Sequence, residues 1–223
     1  MFQLDSPAMR FLSRVADLMV LNALFILTSL PFVTIGASLT ALNYTAMQIV
    51  HDECESVTRS YFASFRSNVK QATLLWLIVL FLGLVMAAWW VALEFARLSV
   101  LVQLVLQIVL YVVAARLVLI AIYIFPYQAT FEDSIRKVLR NSRLMSLRHL
   151  FSSLLVLVVL ALPVVVTIFY PVVVMYGLLW FAFGFAGVAF VAGTVFSSVF
   201  ARYMPPKPSP APSPSEPDWP PTQ

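Results

Sequence analysis

The side chain with the clearest chemical potential is Arg116, the one charge that lies well inside an apolar run, residues 98–125. An isolated arginine inside a membrane costs at least about 2.5–3.5 kcal/mol, so such a residue is by default a candidate for function. Asp17 interrupts an earlier apolar run and is the expected partner. We expect structural pairing with Asp17, or a guanidinium that reaches the membrane surface on its long stem. A ligand or proton pathway is the alternative.

Two amides share the apolar run with Arg116. Gln103 and Gln107 stand one helical turn apart, on a different face from Arg116. We expect them to donate hydrogen bonds across helices, because polar side chains commonly do so inside membrane bundles. The alternative is that they line a polar groove.

Basic residues concentrate in two polar segments that flank the apolar runs. These residues are Arg59, Arg66, Arg136, Lys137, Arg140, Arg143 and Arg148. Basic side chains beside a membrane gain about 1 kcal/mol each from anionic lipid, so contact with lipid headgroups is the first interpretation. Docking of a cytoplasmic partner is the second. Nucleic acid is not expected, because the patch is small and adjoins the membrane.

Catalytic chemistry finds no support in the pattern of residues. His51 and His149 sit at the edges of apolar runs, without a paired carboxylate, serine or cysteine at useful spacing. The single Cys54 excludes an intramolecular disulfide, and the six glycines are scattered rather than gathered in a phosphate-binding loop. We therefore expect no enzyme activity, no metal and no cofactor.

The composition requires lipid as the solvent for much of the chain. Of 223 residues, 61% are hydrophobic and 11% are charged, with a mean hydropathy of +0.93, whereas soluble domains carry about 25% charged residues. An all-α polytopic bundle follows. Its predicted spans are about 15–31, 36–50, 71–93, 98–125, 150–170 and 172–200.

The first apolar region decides between five and six spans. As one helix, residues 15–50 would be about 54 Å long, far more than a hydrocarbon core of about 30 Å. Pro31 is the breaker that divides it, with Gly36 just beyond. In the second helix Gly36, Ala37, Thr40 and Ala41 form a small-residue face, which predicts close packing against another helix. With six spans, twelve of the Lys and Arg residues outside the spans lie on one side of the membrane and one lies on the other. With five spans, ten lie on one side and three on the other. The sharper asymmetry favours six spans in a bacterial inner membrane, with both termini in the cytoplasm.

Two segments have the pattern of amphipathic helices on the cytoplasmic membrane surface. In residues 57–70 apolar side chains recur every four residues, and residues 131–150 combine an apolar face with a basic stripe. The first 203 residues then form the membrane domain. Residues 204–223 form a proline-rich tail, which we expect to be disordered and cytoplasmic.

A family resemblance rests on "NALFILTSLPFVTIGASLTALNY" and "SYFASFRSNVKQATLLWLI". The asparagine-bearing apolar run, the SLPxVTIGAS motif and the paired-aromatic segment ending in FRSNVKQA resemble the YesL-like family of bacterial membrane proteins, a domain of unknown function. The resemblance is dense over residues 20–76. It implies an accessory or regulatory link to carbohydrate uptake by an ABC transporter, and it carries no catalytic residues. A free-standing small transporter or channel is the competing hypothesis.

Overall fold

The computed structural model describes residues 7–170, 172 and 177–204, and within these residues the chain forms an all-α bundle. The helices are α1 (Pro7–Ser29), α2 (Ile35–Val50), α3 (Val57–Phe95), α4 (Val100–Thr130), α5 (Ile135–Arg148), α6 (Leu150–Phe169) and α7 (Phe185–Phe200). A π-helical segment, Trp180–Gly184, leads directly into α7. Five helical stretches in this part of the chain are long and apolar enough to cross a membrane, namely those that contain α1, α3, α4, α6 and α7.

The predicted break at Pro31 is confirmed. Helix α1 ends at Ser29, a 3-10 turn covers Phe32–Thr34, and α2 begins at Ile35. At the other end of this hairpin, Nη2 of Arg14 lies 2.7 Å from both carboxylate oxygens of Asp52. The start of α1 therefore lies beside the end of α2, as two antiparallel helices require.

Polar side chains of residues 30–44, together with Thr28 and Tyr61, build the hairpin turn. The hydroxyl of Thr34 donates to the carbonyl oxygens of Thr28 and Pro31, both at 2.7 Å. Oγ of Ser38 lies 3.0 Å from Oγ1 of Thr28, which also contacts the hydroxyl of Tyr61 on α3. The hydroxyl of Thr34 thus satisfies the carbonyl oxygen of Thr28 near the end of α1, and the other hydroxyls join the turn to α3.

Helix α2 is the packing centre of the bundle, although its 16 residues are too few to place it among the five long helices. It contacts α1, α3, α4 and α7. Its predicted small-residue face is confirmed, since Gly36, Ala37, Thr40 and Ala41 are all buried. Gly36 lies directly on α3, where an added Cβ would stand 2.6 Å from Cβ of Trp76 and even closer to the carbonyl oxygen of Ala72.

The prediction of a separate surface helix at 57–70 is wrong. Residues 57–95 form one helix of 39 residues, about 58 Å long. No glycine or proline interrupts the polar half, and Ser67 and Asn68 bond back to the carbonyl oxygen of Ser64 on the same helix. The apolar face of this half is real, but it packs inward. Val57 and Tyr61 are buried with residues of α1, α2 and α7.

The second amphipathic segment does form a helix of its own, α5, with exposed arginines on one side. Part of its apolar face packs against the bundle, because Val138 and Met145 belong to the buried core, whereas Leu144 and Leu147 are exposed. Its contact with the membrane surface stays a prediction. Predicted span 98–125 continues through Pro126 to Thr130, and predicted span 150–170 agrees with α6 within one residue. Predicted span 172–200 contains the described helical stretch Trp180–Phe200, while residues 173–176 lie outside the described residues. Of the tail predicted for 204–223, residues 205–223 lie outside the described residues.

Candidate functional site

Arg116 is tethered to α5. Its Nη1 donates to Oγ of Ser146 at 2.8 Å, and its Nη2 donates to the carbonyl oxygen of Arg143 at 2.9 Å. The predicted pairing with Asp17 is therefore wrong. Arg116 reaches the neighbouring polar helix, where two acceptors stabilise the guanidinium without a carboxylate.

Asp17 stands apart from Arg116, half-buried on α1. In the part of the chain that the structure describes, its carboxylate accepts no hydrogen bond and forms no ion pair. The charge of Asp17 acts on Cys54, in the loop after α2. Burial raises the pKa of the Cys54 thiol, and the Asp17 carboxylate raises it further, so the thiol stays protonated at neutral pH.

Gln103 and Gln107 are half-buried on α4. Among the described residues neither side chain forms a hydrogen bond, so the expected bonds across helices are not made there. The alternative, that the two amides line a polar groove, stays a hypothesis.

The predicted basic side chains are exposed on two helices. Arg59 and Arg66 lie on the first half of α3, and the others lie on α5: Arg136, Lys137, Arg140, Arg143 and Arg148. Within the described residues Lys137 is the one member with an ion pair, at 3.4 Å from Asp133. The guanidinium of Arg148 lies 5.9 Å from the ring centre of Tyr203, within cation–π range.

His149 does not extend this basic surface at neutral pH. Burial lowers the pKa of its imidazole, and the charges of Arg202 and Arg148 lower it further. Its Nε2 lies 2.9 Å from the hydroxyl of Tyr203. The residue therefore joins the end of α5 to the end of α7 as a neutral side chain.

A connected set of polar side chains joins α3, α4 and α5, and we call it the polar junction (Asn68, Gln71, Tyr127, Gln128, Asp133 and Asn141). Nε2 of Gln71 donates to Oε1 of Gln128 at 2.9 Å and to the carbonyl oxygen of Asp133 at 2.6 Å. Nε2 of Gln128 donates to Oδ1 of Asn68 at 2.9 Å.

The other half of the polar junction centres on Tyr127. Its hydroxyl donates to Oδ2 of Asp133 at 2.7 Å and accepts from Nδ2 of Asn141 at 2.6 Å. This hydrogen bond, with the charges of Lys137 and Arg140, lowers the pKa of the Asp133 carboxyl below its ordinary value. The carboxylate therefore stays ionised and fixes the loop that leads into α5.

The polar junction borders an open cleft of about 690 Å³. Its walls are amides, hydroxyls and carboxylates of α3 and of the loop before α5, together with the aromatic rings of Tyr44 and Phe131. The exposed Glu132 also lines it. Such a surface can bind polar groups through hydrogen bonds.

The sequence analysis missed the polar junction. Gln71 and Gln128 stand where an apolar run meets a polar segment, which is the one signal that could have marked them. Their pairing could not be foreseen, because 57 positions separate them and the register between α3 and α4 decides it.

A buried asparagine supports the π-helical segment before α7. Asn22 is fully buried, and its Nδ2 donates to the carbonyl oxygens of Trp180 and Phe181, both at 2.8 Å. Its Oδ1 accepts from the backbone N–H of Ala186 at 3.1 Å. A π-helix departs from the regular hydrogen-bond ladder, and this side chain satisfies the groups that are left over.

Comparison with known proteins gives one match. Residues 18–92 match the family model described as Protein of unknown function, DUF624. No curated protein and no solved structure matches the chain. The matched segment runs from α1 through α2 and most of α3, so it contains Asn22, the hairpin turn and Gly36. Arg116, α5 and four of the six residues of the polar junction lie beyond it.

Proposed function

We propose that this chain is a YesL-like protein of the bacterial inner membrane, and an accessory or regulatory component of carbohydrate uptake by an ABC transporter. The apolar helices and the DUF624 match support an integral membrane protein of unknown activity. The link to sugar uptake rests on the family resemblance of residues 20–76. The proposal assigns no catalytic reaction, cofactor or nucleic-acid partner to the chain.

The observation that carries a docking role is the surface around the open cleft. Arg59 and Arg66 border a shallow depression on α3, and Ala63 belongs to both that depression and the cleft. Polar hydrogen-bonding groups and exposed arginines thus adjoin each other on one face. Arginine is favoured where two proteins meet, because its planar head pairs with carboxylates and stacks on aromatic rings.

The proposed topology has six crossings and both termini in the cytoplasm. The pairing of Arg14 with Asp52 supports it, because the start of α1 and the loop after α2 then lie at one end of the hairpin. Basic residues also concentrate at the start of α3 and on α5, while Arg97 stands alone between α3 and α4. Short basic loops favour the cytoplasmic side.

Co-purification from native membranes tests the proposal. The tagged chain, crosslinked in its host and extracted in mild detergent, is expected to bring down the membrane subunits of a carbohydrate ABC transporter. The double variant Arg59→Glu and Arg66→Glu is expected to lose them, because it reverses the charge of the docking face. Arg97→Glu is the control, since it reverses a charge between α3 and α4, away from that face.

Two results would contradict the proposal. Recovery of the chain without any transporter subunit would contradict the proposed partner. Equal loss of the subunits in the Arg97→Glu control would contradict the proposed docking face. Solute flux into liposomes that hold this chain alone would favour the competing function, a small transporter or channel. The unpartnered amides of Gln103 and Gln107 are the observation that favours that alternative.

A further inference from the structure

An apolar groove runs between α3 and α4 and ends at α5. It has a volume of about 500 Å³, and its walls include Leu82, Gly83, Met86 and Leu117. Two arginines of α5, Arg140 and Arg143, line the same groove. The groove thus joins a lipid-facing apolar channel to two cations, a combination that packing of the bundle does not require.

Gly83 keeps the middle of the groove open. A Cβ built at this position meets no atom within 4 Å. A larger side chain here would project into empty space between the helices rather than into a neighbour. Gly83 is therefore a place where the groove can be filled without disturbing the contact between α3 and α4.

The two arginines have no matching anion in the described part of the protein. Both side chains are exposed, and neither forms an ion pair with a carboxylate there. Arg140 acts on the charge of Asp133, but that carboxylate is already bound to Tyr127 and Lys137. The two exposed guanidinium groups therefore remain available to an anion from outside the chain.

Arg116 holds these cations in place. By donating to Oγ of Ser146 and to the backbone carbonyl of Arg143, it fixes the last turns of α5 over the end of the groove. Because these acceptors are not carboxylates, the positive charge of Arg116 is not cancelled. It adds to the field at the mouth of the groove.

We propose that this groove is a binding site for one anionic phospholipid, with an acyl chain along α3 and α4 and the phosphate bound by Arg140 and Arg143. Arginine binds phosphate through two parallel N–H···O bonds, and basic pockets between membrane helices bind anionic headgroups. An acyl chain gains little by moving from lipid into an apolar groove, because both surroundings are equally apolar. Selectivity must therefore come from the arginines, while the groove sets the position of the chain.

Lipid retention measured by native mass spectrometry tests the site. The protein is reconstituted in vesicles of phosphatidylcholine with phosphatidylglycerol, extracted in mild detergent and examined for bound lipid. One phosphatidylglycerol is expected to persist in preference to phosphatidylcholine. In the double variant Arg140→Gln and Arg143→Gln its affinity is expected to fall about thirtyfold. Arg59→Gln with Arg136→Gln removes the same charge outside the groove and is expected to retain the lipid.

A second variant tests the groove without changing charge. Gly83→Phe fills the channel and is expected to reduce retention while both arginines remain. Equal retention of the two lipids, equal loss in the Arg59/Arg136 control, or full retention in Gly83→Phe would each overturn the proposed site. Because none of these measurements involves a transporter, their failure is distinct from failure of the proposed function.

Discussion

The carbonyl oxygen of Arg143 accepts a 2.9 Å hydrogen bond from Nη2 of Arg116, which ties the middle of α4 to the basic helix α5. The most conspicuous charge in the apolar sequence thus positions another helix. Without this tether, α5 would keep its apolar contacts through Val138 and Met145 and its bond from Asn141 to Tyr127, but its last turns would lose their polar attachment to α4.

Substitution of Arg116 by Ala is expected to cost about 1.5–3 kcal/mol, since hydrogen bonds from a charged group contribute that much. Ser146→Ala should be less than additive with it, because the two side chains share one bond. Thermal unfolding in detergent of the two single variants and the double variant measures this. Asp17→Ala serves as the control and should add fully to Arg116→Ala. If the effects of Asp17→Ala and Arg116→Ala were not additive, the two side chains would interact, contrary to the structure.

Loss of the Asn22 amide is expected to cost at least about 2 kcal/mol, because two carbonyl groups and one N–H would lose their partner in a buried site. Asn22→Ala should lower the unfolding temperature and speed hydrogen exchange at Ala186. Asn43→Ala is the matched control, since Asn43 bonds only to the carbonyl of Leu39 on its own helix. Similar losses in both variants would argue against a special role for Asn22.

Two glycines should respond in opposite ways to the same change. Gly36→Ala is expected to destabilise the protein by about 1–3 kcal/mol or more, because the new methyl group meets the backbone of α3, which cannot move aside. Gly83→Ala should stabilise the protein by up to about 1 kcal/mol, since nothing lies within 4 Å of the added atom and alanine is favoured over glycine inside a helix. Folded yield and unfolding temperature in detergent compare the two. A tolerated Gly36→Ala would mean that α2 and α3 are less tightly packed than the structure has them.

Acidification should weaken the attachment of α5 through Asp133. Its pKa is lowered in the folded protein, first by the hydrogen bond from Tyr127. The ionised form therefore contributes stability above the ordinary carboxyl pKa, and this contribution is lost as the pH falls through the lower folded value. Unfolding temperatures measured from pH 6 down to pH 3 should fall less steeply in Asp133→Asn than in the parent. Glu132→Gln, which alters the exposed neighbouring carboxylate, should leave the slope unchanged.

Local sequence features predicted much of the bundle. Hydropathy located the apolar helices, Pro31 marked the break between α1 and α2, and the small residues from Gly36 onward marked a packing face. Each of these signals acts within a few residues, through helix propensity or the space that a side chain occupies. The same kind of signal misjudged residues 57–70, where polarity suggested a separate element but the unbroken backbone simply continues into α3.

Partner choice was decided by the tertiary structure alone. Arg116 with Ser146, Gln71 with Gln128, and Asn22 with the π-helical segment join residues that are 30 to 159 positions apart. Such pairs depend on the rotation and register of whole helices, which result from packing over the entire interface and not from the residues concerned. The sequence therefore determined which segments enter lipid and where charge accumulates. Packing determined which cation faces the groove, because rotating a helix about its axis or shifting its register changes the partners of every side chain without changing the sequence.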